Sequence, residues 1–248
     1  MRVLRPLLIA LISLGLIGLV WQGLVQALHV PHYVIPAPDA IIAAGIKGQR
    51  ALLRQTGFTL RATFYGLAVS LAFALCVAIA FTRSRTAERA ALPLVIAFRS
   101  APVPAIAPIA MLFLGRGMST SILVVTIVSF FPLLVNLMRG LASVDRNAAE
   151  LLHVYGASFW QVLGWLRVPS ALPFLFTGLR IAGATALLGA MLSEWITGSR
   201  GLGNLILDSA DMRETEMVWA SVLMSVAIAL TMFWLTSAGE RLATRWKD

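Results

Sequence analysis

The chain has 248 residues, of which 59% are hydrophobic and only 12% are charged, and its mean hydropathy is +0.85. Charged residues make up about 25% of an average soluble domain, so this composition excludes an ordinary soluble fold. The formal net charge of +9 does not indicate a nucleic-acid-binding protein, because the basic residues are spread over loops instead of forming one patch.

Six apolar segments each reach the roughly twenty residues that cross a bilayer as a helix. They lie at about residues 6–28, 58–82, 92–114, 120–140, 173–193 and 217–238. We therefore predict an all-α, polytopic membrane protein with six transmembrane helices, in which residues 1–248 form a single domain. The first segment follows two arginines, as a signal peptide does, but its apolar run from Leu7 to Val25 is longer than usual and favours a retained helix.

The segment between the first two spans has a different pattern. Over residues 38–56 the apolar side chains recur at helical spacing, at Ile41, Ile42, Ile46, Leu52 and Leu53. Such a stripe predicts an amphipathic helix lying on the outer membrane surface.

The distribution of Lys and Arg predicts the orientation, because basic residues resist translocation. With the N-terminus inside, the inner segments hold 11 of these residues and the outer segments hold 7. Four of the outer ones cluster between residues 47 and 61, which weakens the asymmetry. The pattern nevertheless favours two cytoplasmic termini.

Prolines and charges interrupt two of the spans. Pro102, Pro104 and Pro108 remove three backbone donors from the third span, and such breaks are tolerated where backbone is buried in protein or lines a water-filled path. A kinked packing helix is the alternative.

Arg99 and Arg180 also lie inside spans, where a charge requires a partner, an escape to the headgroups or an anionic substrate.

A polar stretch from Arg139 to Pro173 separates the fourth and fifth spans and has the pattern of two short helices joined at Gly156. Its spacing resembles the cytoplasmic "EAA" loop of ABC importer permeases, in which Glu-Ala-Ala is followed by three residues, then Gly, then nine residues, then Ile-x-Leu-Pro. Glu150, Gly156 and Pro169 fall on this spacing. Leu151 and Leu152 replace the two alanines, Leu166 replaces Ile and Val168 replaces Leu.

Three further segments resemble the nitrate, sulfonate and taurine branch of these permeases. They read YVIPAP from Tyr33, FRSAPVPAIAP from Phe98 and EWITGSRGLGNLI from Glu194. Together with the loop they cover about residues 33–240.

The resemblance implies the fold, partners and location of an importer permease. It implies a type I permease fold in a bacterial inner membrane, working as a homodimer with two ATP-binding subunits and an extracytoplasmic substrate-binding protein. ATP and Mg²⁺ would bind only to the ATPase, since the chain contains no Gly-x4-Gly-Lys-Ser/Thr loop. We expect this chain to hold no cofactor, no metal and no catalytic residue, and to contact lipid but no nucleic acid.

The same resemblance assigns two sets of functional residues. A coupling loop at about residues 141–172 would dock on the ATPase through Glu150, Leu151, Leu152, Gly156, Ala157, Leu166 and Pro169. The translocation path is assigned to Arg99, Ser100, Pro102, Pro104, Arg180 and Glu194.

The expected substrate is a small anionic solute such as nitrate, a sulfonate or taurine. One alternative is the same class of importer carrying a vitamin precursor or an aromatic acid. A secondary transporter would require mid-span acids and repeated halves, and neither is evident in the sequence.

Overall fold

The computed structural model of the protein describes residues 4–99 and 102–244, and all regular structure in these two ranges is helical. This confirms the all-α prediction. In chain order the helices are α1 (Leu4–Ala27), α2 (Pro38–Lys47), α3 (Gln49–Arg83), α4 (Arg85–Arg99), α5 (Val103–Leu114), α6 (Met118–Ala142), α7 (Arg146–Val154), α8 (Phe159–Val162), α9 (Val168–Thr197), α10 (Leu202–Asp211) and α11 (Thr215–Ala243). A π-helical turn, Leu163–Arg167, joins α8 to α9.

Within the described ranges, four helical segments are long and apolar enough to span a membrane: Gln49–Arg83, Met118–Ala142, Phe159–Thr197 and Thr215–Ala243. Two shorter apolar stretches, Gly15–Ala27 and Val103–Leu114, fall on the first and third expected spans. The expected fifth span, residues 173–193, is only the middle of a much longer helix.

The core lies where α6 packs between α3 and α9. Ala74 and Ala78 of α3, Leu133 and Leu134 of α6, and Ala182 of α9 are completely buried there. The small side chains on α3 and α9 allow both backbones to approach α6 closely, which is how membrane helices gain packing energy when lipid is as apolar as the helix surface. The three helices therefore form a central unit.

The third expected span is interrupted instead of continuous. Helix α4 ends at Arg99 and α5 begins at Val103, after Pro102 in an extended conformation (φ −69°, ψ 123°). Pro104 lies in the first turn of α5, where a missing N–H costs no helical hydrogen bond. Pro102 and Pro104 thus mark the beginning of α5.

The predicted amphipathic helix over residues 38–56 was wrong in its extent. Helix α2 ends at Lys47, and Gly48 separates it from α3. Ile41 and Leu52 are buried with Leu202 and Met217, because α2 packs against α11. The other three members of the stripe, Ile42, Ile46 and Leu53, are exposed.

Candidate functional site

The predicted coupling loop forms a helical hairpin at one end of the bundle. Asp145 caps α7 by accepting a hydrogen bond from the Ala148 N–H at 3.0 Å. The chain then reverses at Gly156, whose φ of +72° is a left-handed conformation that costs side-chain-bearing residues energy. Ser158 starts α8 through a reciprocal capping box with Gln161. The helix–Gly–helix pattern of the sequence is therefore present.

The second arm of the hairpin continues directly into the bundle. The segment Phe159–Thr197 is helical throughout, with one wide turn in which the Val168 N–H bonds to the Leu163 carbonyl. Pro169 follows at once; its ring crowds the carbonyl four residues earlier, and the wide turn accommodates this. Leu166 and Pro169, both half-buried, lie in and just after this turn.

Three contacts attach this arm to the central helices. The guanidinium of Arg83, at the end of α3, lies 5.7 Å from the centre of the Phe159 ring. Arg167 donates a hydrogen bond to the Leu141 carbonyl at the end of α6, at 3.3 Å. Leu163 is buried in the core between these helices. Sequence reasoning missed all of these residues, because their partners are distant in the chain.

The surface of the hairpin that faces away from the bundle is apolar at several points. Leu151, Val154, Tyr155, Trp160 and Trp165 each expose more than half of their surface. Glu150 is exposed too and pairs with Arg146 at 2.9 Å, one helical turn away. Leu152 and Ala157 are half-buried. Clustered exposed apolar side chains beside charges are typical of a protein-docking surface.

The residues predicted for the translocation path do not form one group. The Arg99 side chain and Ser100 lie outside the described part of the chain, whereas Pro102 and Pro104 are exposed at the start of α5. Just beyond them, Val103 and Ile106 line a groove of about 730 Å³ between α3, α5, α6 and α9. The remaining lining is mainly aromatic and aliphatic, with Asn136 and Thr185 as polar members. We call this the α5–α9 groove.

Arg180 lies against another helix. Its guanidinium forms an ion pair with Glu240 of α11 and lies 5.5 Å from the centre of the Phe233 ring. The structure therefore places Arg180 on the α11 side of α9, whereas its neighbour Ile181 lines the groove. The sequence left open a partner, an escape to the headgroups or a substrate, and the structure supplies a partner.

Glu194, assigned to the translocation path, is buried at the opposite end of the bundle from the hairpin. The side chain is 1% exposed. Its Oε2 atom accepts hydrogen bonds from the Thr59 hydroxyl at 2.9 Å and from the Gly203 N–H at 3.0 Å. The Thr59 oxygen in turn accepts the Leu202 N–H at 2.8 Å. Glu194 and Thr59 together satisfy the first N–H groups of α10, which would otherwise be buried without partners.

Two glycines permit this arrangement. A side chain at Gly201 would collide with the Glu194 carboxylate, and one at Gly203 would collide with the Met191 carbonyl. The Gly-rich segment after the fifth span therefore serves close packing of backbone against a carboxylate. Sequence reasoning identified Glu194 and these glycines, but no signal pointed to Thr59.

A cavity of about 290 Å³ opens beside this carboxylate. We call it the Glu194 cavity. Phe58 and Ala62 of α3, Met118 and Ser121 of α6, and the loops carrying Arg116, Gly117, Gly198, Ser199 and Arg200 complete its lining. Arg200 also lies 5.6 Å from the centre of the Phe58 ring. The cavity thus joins one buried carboxylate to two exposed guanidinium groups.

Comparison with known proteins connects this arrangement to a family. Residues 39–245 match the model of the binding-protein-dependent transport system inner membrane component. The chain belongs to this family.

The permease has curated relatives that are named for the transport of different solutes. It is 34% identical to the formylaminopyrimidine transport permease protein ThiX of Halalkalibacterium halodurans, over 74% of each chain. It is 30% identical to the riboflavin transport system permease protein RibX of Chloroflexus aurantiacus, over 95% of this chain and 89% of that one. It is 25% identical to the taurine transport system permease protein TauC of Escherichia coli, over 98% of this chain and 90% of that one.

The fold is also that of a solved transporter. An inward-facing structure of the MetNI methionine ABC transporter matches with a TM-score of 0.72 at 19% identity, covering 79% of this chain and 97% of that chain. This confirms the type I permease fold. The protein is the multi-pass permease subunit of an ABC importer.

Proposed function

We propose that the permease works as a homodimer, docked on two ATPase subunits and supplied by an extracytoplasmic binding protein, and carries a small anionic solute into the cell. ATP and Mg²⁺ bind to the ATPase, and this chain holds no cofactor and performs no covalent chemistry. Both termini and the hairpin lie on the cytoplasmic side of a bacterial inner membrane, in agreement with the excess of basic residues in those segments.

The observation that carries this proposal is the exposed apolar surface on a hairpin that is firmly attached to the bundle. Tyr155 and Trp160 expose 80% and 69% of their surface, and large exposed aromatics are the usual anchors of a protein interface. We expect the ATPase to bury them, together with Glu150 and Leu151.

Movement of the docked hairpin would reach the membrane helices through its attachments. The Phe159 contact reaches α3, the Arg167 hydrogen bond reaches α6, and the helix itself continues into α9. These are the three helices of the core, so closure of the ATPase dimer would shift all of them together. Alternating access follows from rigid-body movement of packed helices and needs no chemistry in this chain.

Support for an anionic solute comes from Arg116 and Arg200 at the mouth of the Glu194 cavity and from the relative named for taurine transport. The relatives named for riboflavin and formylaminopyrimidine favour the alternative, an importer of a vitamin or its precursor. Thermal-shift screening of the cognate binding protein against sulfonates, nitrate, aromatic acids and pyrimidine precursors distinguishes them, because a ligand far above its Kd stabilises the protein by a few kcal/mol. A rise in the melting temperature of the binding protein with uncharged ligands alone would contradict an anionic substrate.

Co-purification tests the docking proposal. Tyr155→Glu places a charge in the expected interface, so the ATPase recovered with the permease should fall about tenfold or more, as for the loss of an interface anchor. Met212→Glu is the matched control, because Met212 is 72% exposed at the other end of the bundle. Unchanged recovery with Tyr155→Glu, or ATP-independent transport by the permease alone, would contradict the proposal.

A further inference from the structure

Helix α11 exposes more of its surface than the other three segments of the described chain that are long enough to span the membrane. Only 17% of its most apolar part is buried, against 28–39% in the others. One line of exposed side chains runs along α11, at Leu223, Leu230, Trp234 and Arg241. Their spacing of seven, four and seven residues places them on one face of the helix. This face is therefore apolar over most of its length and basic at its C-terminal end.

A shallow cavity of about 320 Å³ lies at the C-terminal end of this face. It is lined by Trp234, Ser237, Ala238, Arg241 and Leu242. All five residues belong to α11, so the cavity has a single wall. A water-soluble ligand would have little to hold it there. A membrane lipid already lies against the helix, and the cavity needs only to favour one kind of headgroup.

Arg241 gives the cavity an uncompensated positive charge. The carboxylate of Glu240, the preceding residue, is paired with Arg180 of α9. The only other ion pair in the described part of the chain lies in the hairpin, so Arg241 has no counterion there. A guanidinium group pairs with phosphate oxygens through several N–H donors, and the Ser237 hydroxyl adds one more donor.

The length of the face matches one leaflet of a bilayer. Leu230 and Arg241 are 11 residues apart, which is about 16 Å along a helix. Half of the hydrocarbon core is about 15 Å thick. With Arg241 at the level of the headgroups, Leu230 therefore lies near the middle of the bilayer. An acyl chain of the same leaflet can cover the face between them, where Trp234 offers a large apolar surface.

We propose that the C-terminal end of α11 binds an anionic phospholipid. Arg241 and Ser237 hold the phosphate, and one acyl chain packs along Trp234 and Leu230. The site requires that α11 crosses the membrane, and it is independent of the solute that the permease carries. The bound lipid would stabilise the same end of α11 that the Arg180–Glu240 ion pair holds against α9.

Native mass spectrometry of the permease–ATPase complex tests this site. The complex is mixed with equal amounts of phosphatidylglycerol and phosphatidylcholine that have the same acyl chains, and the lipids retained after activation in the gas phase are counted. The anionic lipid should be retained at least about fivefold more, since this is the usual effect of one basic residue at an anionic membrane surface. Equal retention of the two lipids would overturn the proposal.

Variants locate the site on α11. Arg241→Gln should lower the preference for phosphatidylglycerol about fivefold, whereas Arg241→Lys should keep most of it. Trp234→Ala should weaken the retention of both lipids. Arg213→Gln is the matched control, because it removes the same charge from an exposed position just before the other end of α11. An unchanged preference in Arg241→Gln, or an equal loss in Arg213→Gln, would overturn the site.

Two further measurements distinguish other occupants of this face. Glycerol 1-phosphate should not compete with phosphatidylglycerol for the delipidated complex, and competition at similar concentrations would show a soluble phosphate ligand in place of a lipid. Trp234→Cys, with Cys76 replaced, should not form a disulfide between two permease chains. Efficient formation of that disulfide would show that a second copy covers the face and would overturn the proposal.

Discussion

Glu194 on α9 accepts a hydrogen bond from Thr59 on α3 at 2.9 Å, and the same Thr59 oxygen accepts the Leu202 N–H of α10 at 2.8 Å. One hydroxyl therefore joins three helices. It donates to the carboxylate and accepts from the helix terminus, which uses both of its hydrogen-bonding roles.

Thr59→Val tests this junction. Valine has nearly the same shape but leaves the Leu202 N–H without an acceptor and removes one donor from Glu194, so we expect a loss of about 1–3 kcal/mol in unfolding free energy. Reversible unfolding in mixed micelles measures it. Thr63→Val is the matched control, because Thr63 is equally buried on α3 and only donates to the Thr59 carbonyl. Equal effects of the two substitutions would contradict the junction.

Gly156→Val should impair coupling without preventing membrane insertion. A β-branched residue resists the positive φ, and the cost is about 1–2 kcal/mol or more at the turn between α7 and α8. ATP-driven uptake in proteoliposomes should fall while the amount of protein in the membrane stays the same. Gly164→Val is the control, because Gly164 has space for a side chain and no positive φ. The prediction fails if both variants transport alike.

Charge exchange tests the ion pair between Arg180 and Glu240. Either Arg180→Gln or Glu240→Gln removes a charged hydrogen-bonding partner within the bundle, and each should cost about 1–3 kcal/mol in unfolding free energy. The exchanged pair, Arg180→Glu with Glu240→Arg, should recover part of this loss in a double-mutant cycle. Additive losses in the exchanged pair would argue that each charge acts separately.

Cysteine labelling tests whether the α5–α9 groove is open to water during transport. Cys76 is exposed and must first be replaced. Ile106→Cys, in the lining, should then react with a small water-soluble thiol reagent, and its rate should change when ATP is trapped on the ATPase. Ala107→Cys should remain inert, because Ala107 is completely buried. Inertness of Ile106→Cys in every nucleotide state would favour a closed packing surface.

The sequence predicted what depends on local pattern. Apolar length indicated the membrane helices, the prolines marked the break before Val103, and the spacing from Glu150 to Gly156 located the turn of the hairpin. Each of these features depends on residues that lie close to one another in the chain.

Contacts between distant parts of the chain could not be predicted in this way. Glu240 lies 60 residues after Arg180, and Thr59 lies 135 residues before Glu194. Ile41 is likewise buried beside Met217 of α11, which lies far from it in the chain. A hydrophobic stripe shows that a helix has an apolar face, but it does not show which helix will cover that face.

The unbroken path of helix from Phe159 to Thr197 has a mechanical consequence. At about 1.5 Å per residue, Phe159 and Glu194 are about 50 Å apart on one rod. If that rod pivots near its middle, a tilt of about 10° displaces its two ends by about 4 Å in opposite directions. Displacement of the hairpin by the ATPase would then move the Glu194 end of the same helix and widen or narrow the Glu194 cavity. No series of side-chain rearrangements across the membrane is required.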